Sequence, residues 1–148
     1  DLVFRHAENG AWLALHQRTI GSEPEALISG TLFNPPSFKG RGTATWNSHG
    51  WGISAAYNYV NSEKDESSIP AVHIGSWSTV DVQLSYEFNA ESGALLQGLK
   101  LRLSVQNLFD RDPPFVAASS TAYPGLGYDS TNASPFGRFI SADVSKSW

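Results

Sequence analysis

Neither cysteine nor methionine occurs among the 148 residues of the chain. The lack of cysteine removes disulfide frameworks and thiolate metal sites but leaves the compartment open, because an oxidising compartment does not oblige a protein to carry cysteine. With no methionine and no basic-then-apolar leader after Asp1, the sequence reads as an excerpt from a longer protein. A basic stripe is also missing. Ten Lys and Arg against fourteen Asp and Glu give a net charge of -4 with the cations dispersed, so nucleic acid is not an expected partner. No apolar run approaches the roughly 18 residues of a membrane helix. That absence says nothing about membrane strands, which need only about 9 to 11 residues each and alternate in polarity.

Catalytic and metal-binding patterns are missing as well. His6, His16, His49 and His73 are scattered, with no spacing that sets two of them on one face beside a carboxylate. No serine sits in a G-x-S-x-G elbow, and the "GLG" at Gly125 lacks the third glycine of a dinucleotide loop. No enzyme activity, metal or cofactor is expected. The run Asp110, Arg111, Asp112 is either a rim site for a cation or solute or, more commonly, a solvated loop with internal ion pairs.

What the chain does have is alternation. Successive side chains of a strand point to opposite faces. In "LKLRLSVQ", Leu99, Leu101, Leu103 and Val105 therefore oppose Lys100, Arg102, Ser104 and Gln106. From Thr79 to Phe88 the set Val80, Val82, Leu84, Tyr86 and Phe88 opposes Thr79, Asp81, Gln83, Ser85 and Glu87. Trp51, Ile53, Ala55, Tyr57 and Tyr59 oppose Gly52, Ser54, Ala56 and Asn58, and Lys39, Arg41, Thr43, Thr45 and Asn47 oppose Gly40, Gly42, Ala44 and Trp46. At the end of the chain Ile140, Ala142, Val144, Lys146 and Trp148 oppose Ser141, Asp143, Ser145 and Ser147. With two less regular segments near Leu2 to Ala7 and Ala11 to Ile20, the pattern predicts an all-β antiparallel meander of about seven strands.

The connectors alternate in length. "ENG" at Glu8 and "NSHG" at Asn47 are short turns of residues that tolerate positive φ, whereas 21–37, 61–76 and 110–135 are long and rich in Ser, Pro, Gly and charge. The connector 89–98 falls where a short turn belongs and is somewhat long for one. Outer-membrane barrels have this asymmetry, with short periplasmic turns and long external loops. On that assignment Trp12, Trp46, Trp51, Phe88 and Trp148 lie at one level and Tyr57, Tyr59, Trp77, Phe109 and Phe136 at the other. These are the two girdles expected where amphipathic rings meet the lipid interfaces. A Lys or Arg at the lipid midplane would cost about 2 to 4 kcal/mol, so Lys39, Arg41, Asp81, Gln83, Lys100, Arg102 and Gln106 are expected to line the aqueous lumen.

The residues "VQNLFDRDPPF" from Val105, Tyr128–Asp129 and "GRFISADVSKSW" from Gly137 together resemble the C-terminal end of the TonB-dependent outer-membrane receptors. "LFNPPSFKGRGTATW", "GWGISAAYNYV" and "IGSWSTVDVQLSYEF" are similar to the preceding strands of the same family. The resemblance implies a transmembrane barrel of about 22 strands, of which this chain supplies the C-terminal part. It also implies TonB-energised import of a scarce nutrient such as an iron chelate, a cobalamin or a glycan fragment, with the plug and the TonB-contacting segment outside residues 1–148. Ile140, Ala142, Val144 and Trp148 match the terminal pattern that the barrel-assembly machinery reads; Lys146 departs from it, although a Lys near the interface can reach back to water. Strict alternation puts Asn107 on the lipid side, a misfit that calls for a rim position or a bulge. Two rivals predict different structures. A soluble ligand-binding β-barrel would line an interior pocket with the apolar face, and a soluble enzyme on a β-scaffold would converge titratable groups in a closed pocket.

Overall fold

The computed structural model describes residues 2–5, 12–18, 30–66, 68–89, 93, 95–117 and 126–147. Nine strands and no helix occur among them: β1 (Leu2–Arg5), β2 (Trp12–Arg18), β3 (Lys39–Ser48), β4 (Trp51–Val60), β5 (Glu63–Asp65), β6 (Val72–Ile74), β7 (Trp77–Glu87), β8 (Leu99–Gln106) and β9 (Phe139–Lys146). Seven form one antiparallel sheet in the order β1-β2-β3-β4-β7-β8-β9, and β5 pairs with β6 in a separate hairpin. The meander is the one expected. The hairpin is an addition, set within a connector whose residues show no usable alternation. The "ENG" turn and Trp148 lie outside the described residues.

The register keeps the two chemistries apart over the whole width of the sheet. Trp46, Ile53, Leu84, Leu103 and Ala142 form one row across β3, β4, β7, β8 and β9, and Ala44, Ala55, Val82, Val105 and Ile140 form the next. Between them, on the other face, runs Thr45, Ser54, Gln83, Ser104 and Ser141. A slip of one residue in any strand would put its apolar set among the polar rows, so this register is strongly specified.

The turn joining β3 and β4 shows how local chemistry fixes that register. Its two loop residues, His49 and Gly50, both take positive φ, 48° and 83°, as the tightest hairpin loops require. A Cβ on Gly50 would stand 2.6 Å from the Glu87 carbonyl oxygen, because the Glu87 N–H donates to the Gly50 carbonyl at 2.9 Å and draws the two backbones together. Gly50→Ala is therefore expected to lower stability by about 1 to 3 kcal/mol, read from the unfolding midpoint. Gly93→Ala, at the same kind of backbone angle with nothing within 4 Å, should show only the backbone cost of about 1 kcal/mol.

At 89–98 the ladder continues for one pair past the strand ends, through the Phe88 N–H to the Leu99 carbonyl and the Gly98 N–H to the Phe88 carbonyl. Gly98, at φ 76°, sits so close to the Ser147 carbonyl that no other residue fits without a shift. Lys146, the misfit of the terminal pattern, shares a face with Leu99 and sends its ammonium to the Leu95 carbonyl at 2.9 Å, out beyond the sheet end.

Burial decides which face is covered. Leu103 is 45% exposed, Ile53 41% and Val144 68%, and no described segment lies over their rows. The buried apolar side chains are elsewhere. Leu32, Ile74 and Val116 form a small core within the long connectors, while Ala56 and Val60 are buried on the polar side of β4. Thus the connectors lie over the polar face only at their own end of β4 and β7, where Val60 and Thr79 are buried, while Arg102, Gln106 and Asp143 of that face stay exposed; the apolar face is bare, which water alone would not select.

Candidate functional site

All three long connectors leave the same end of the sheet, and they meet there through one carboxylate. Asp129, 5% exposed, accepts the backbone N–H groups of Phe33 (3.0 Å), Thr131 (2.8 Å) and Asn132 (3.3 Å) and the side-chain amide of Asn132 (2.8 Å). The same amide nitrogen reaches the Asn34 carbonyl and Oε1 of Glu63, both at 2.8 Å. Residues from the β2–β3 connector, from the hairpin strand β5 and from the β8–β9 connector are thereby tied in one buried knot. Asn132 begins an N-A-S glycosylation pattern, but its amide is wholly engaged here.

Beside the knot a recess of about 640 Å³ opens on the polar face, lined by Lys39, Arg41, Asn58, Trp77, Asp81, Gln106 and Asn107 from the sheet and by Asn132, Phe136 and neighbours from the connector. That volume is in the range of small-molecule pockets. Its floor is an ordered ladder. The Arg41 guanidinium donates to Asn58 Oδ1 at 2.7 Å and to Asp81 Oδ2 at 3.4 Å; Asn58 donates in turn to Thr79 Oγ1 (3.1 Å) and Asp81 Oδ2 (2.9 Å). The other oxygen of Asp81 accepts the Asn107 N–H at 3.1 Å.

Asn107 resolves its own misfit. Its backbone turns left-handed, φ 50°, so strict alternation ends at Gln106 and the residue comes round to Asp81 on the polar side. Its side chain then spans the Arg111 N–H (2.9 Å) and carbonyl (3.0 Å), closing the turn that follows β8. Within the Asp110–Arg111–Asp112 run, Asp110 is structural in the same way. Asp110 accepts the Arg138 N–H at 2.6 Å and stands 3.9 Å from its guanidinium, which anchors the start of β9.

The seven residues expected to line a lumen share the polar face by register, but they do not make one site. Lys39, Arg41, Asp81 and Gln106 belong to the recess. Gln83 sits mid-sheet opposite Ser104, and Lys100 and Arg102 lie toward the short turns, Lys100 paired with Glu87 at 3.3 Å. Among the aromatics, Trp46, Trp51, Tyr57 and Tyr59 are on the apolar face. The Trp51 ring lies 4.6 Å from that of Tyr86, which meets Phe88 edge-on at 4.8 Å, and Tyr59 lies 6.0 Å from Phe38 at the far end. Phe109, 67% exposed, projects from the turn after β8. Trp77 needs correction. Its partner is Val60, in step with Thr79 and Asp81, so it stands on the polar face beside the recess, and a residue can be at the right height on the wrong side. Asn58, Asn107, Glu63 and Asn132 were not singled out as site residues from the sequence. Asn58 could have been, as the one amide in a strand whose polar side is otherwise small.

From Trp51 to Tyr59, eight steps of about 3.4 Å give the apolar band a length of about 27 Å along the strand, which at a tilt of about 35 to 45° spans a height of about 20 Å, near the roughly 25 Å apolar band of an outer-membrane barrel. A bare apolar face of that extent, long connectors gathered over one end of the polar face and strands of eight to eleven residues define one wall of an antiparallel transmembrane β-barrel. Residues 9–108 match the family described as TonB dependent receptor-like, beta-barrel, and the chain belongs to that family. Comparison with curated proteins and with solved structures finds no match. The family is one of outer-membrane receptors that import nutrients, and not of enzymes. A soluble ligand-binding barrel requires a pocket lined by the apolar face, whereas the recess belongs to the opposite, polar face.

Proposed function

We propose that residues 1–148 are the C-terminal wall of a TonB-energised importer whose plug and TonB-contacting segment lie outside this sequence, the whole barrel having about 22 strands. Lys39, Arg41, Asp81, Gln83, Lys100, Arg102 and Gln106 face the plug or the solute path. Trp46, Trp51, Tyr57, Tyr59, Phe88 and Phe109 meet lipid at its two interfaces, with Trp148 joining the level of Trp51. Ile140, Ala142, Val144 and Trp148 are read by the barrel-assembly machinery. The cargo is a scarce small molecule of the iron-chelate, cobalamin or glycan-fragment class. The single observation that supports this reading best is the bare apolar face, with the long connectors gathered over one end of the polar face, in a chain of this family.

The test is uptake by intact cells that carry the whole receptor, with each cargo class offered in labelled form. One class should accumulate when TonB is present and fail to accumulate when TonB is deleted or the receptor is removed. Accumulation independent of TonB would mean a passive channel and would overturn the energised part of the proposal.

A further inference from the structure

The knot behind the recess has fewer hydrogens than its acceptors need. The Asn132 side-chain amide carries two hydrogens, yet its nitrogen stands 2.8 Å from three oxygens: the Asn34 carbonyl, Glu63 Oε1 and Asp129 Oδ2. Two of those oxygens belong to carboxyl groups, 4% and 5% exposed, that would repel each other if both were charged. Asp129 already accepts three backbone N–H groups, which hold it as the acceptor, so the hydrogen that the Asn132 amide lacks must come from Glu63.

The remaining charges nearby do not relieve this. Among the described residues Lys39 is the cation acting on Glu63, and its side chain stands exposed at the recess. Asp65, two residues along the same side of β5, is engaged by the Ser68 hydroxyl at 2.7 Å. Lys64 and His73 pair with each other in register on the opposite side of the hairpin. Phe33 adds tension of its own, since it takes φ 62°, a costly backbone for a bulky residue, while its N–H is held by Asp129.

We infer that Glu63 and Asp129 hold a single proton between them, and that this proton latches the three long connectors together over the recess. The latch is independent of which solute, if any, passes the barrel. Its pH range follows from the surroundings of Glu63. Burial above all, then the hydrogen bond to Asp129 and its charge, push the Glu63 carboxyl from an ordinary 4.5 up to about 8, against a smaller pull from Lys39. Because the folded value is raised, the latch is at full strength below the ordinary value, weakens as pH rises, and has lost the proton's contribution above about 8.

Two measurements on the whole receptor in lipid test this. The infrared difference between wild type and Glu63→Gln should show, near neutral pH, one protonated carboxyl in the wild type that vanishes around pH 8; its absence at neutral pH would overturn the inference. Amide hydrogen exchange in 31–34, 63–65 and 129–133, corrected for the intrinsic rate, should rise about tenfold from pH 7 to pH 9 in the wild type. It should stay flat in Glu63→Gln, whose amide supplies the hydrogen at every pH. The same rise in both proteins, or none in the wild type, would contradict the latch. Neither readout depends on uptake, so failure of the latch and failure of the import reading are separable.

Discussion

Leu103→Arg will destabilise the receptor in a lipid bilayer by about 2 to 4 kcal/mol, whereas Ser104→Arg, one residue along the same strand, will change it by less than about 0.5 kcal/mol. Leu103 lies in the row of Trp46, Ile53, Leu84 and Ala142, inside the aromatic levels of the apolar face, with no described segment covering it. A guanidinium there must lose its water to hydrocarbon. On the other face Ser104 neighbours Gln83 and Ser141, where a long polar side chain stays hydrated. Equilibrium unfolding in vesicles reads the difference directly. Were the sheet surrounded by water, Leu103→Arg would be neutral or would improve solubility, so even the sign of the effect discriminates.

The second large effect is at Asp129. Asp129→Ala removes the acceptor for three backbone N–H groups and one side-chain amide in a place without free access to water. Each buried donor left unpaired costs about 1 to 3 kcal/mol, so the knot should lose on the order of 3 kcal/mol or more. Because the knot joins connectors and not strands, the loss should be local. Proteolysis of the connectors should accelerate greatly while the heat resistance of the barrel stays close to that of the wild type. Asp129→Asn, which keeps one carbonyl oxygen, should fall between the two.

The sheet was legible because β3, β4, β7, β8 and β9 repeat the same period of two with a different chemistry on each face, whereas β1 and β2 are less regular. Leu99 to Gln106 and Val80 to Glu87 need no neighbour to reveal their sides. The alternation of short and long connectors then gave the end at which the functional residues gather. Three kinds of feature were not legible, each for a physical reason. The β5–β6 hairpin has three residues per strand, too few for a period to show. Asn107 defied alternation because its left-handed backbone ends the strand, and nothing in the local pattern fixes that angle in advance. The knot joins residues 69, 96 and 98 positions apart, and contacts of that range are set by the meander, not by any stretch of sequence. Trp77 adds a caution: height along a strand was enough to place it among aromatics but not to choose its side.

The orientation of the sheet can be measured by single-cysteine accessibility, for which this stretch is suited because it contains no cysteine of its own. With the receptor in membranes, Leu101→Cys and Leu103→Cys should resist a water-soluble maleimide, while Arg102→Cys and Ser104→Cys should react. Alternation with the opposite phase, or equal reaction at all four positions, would contradict a barrel wall with lipid against its leucines.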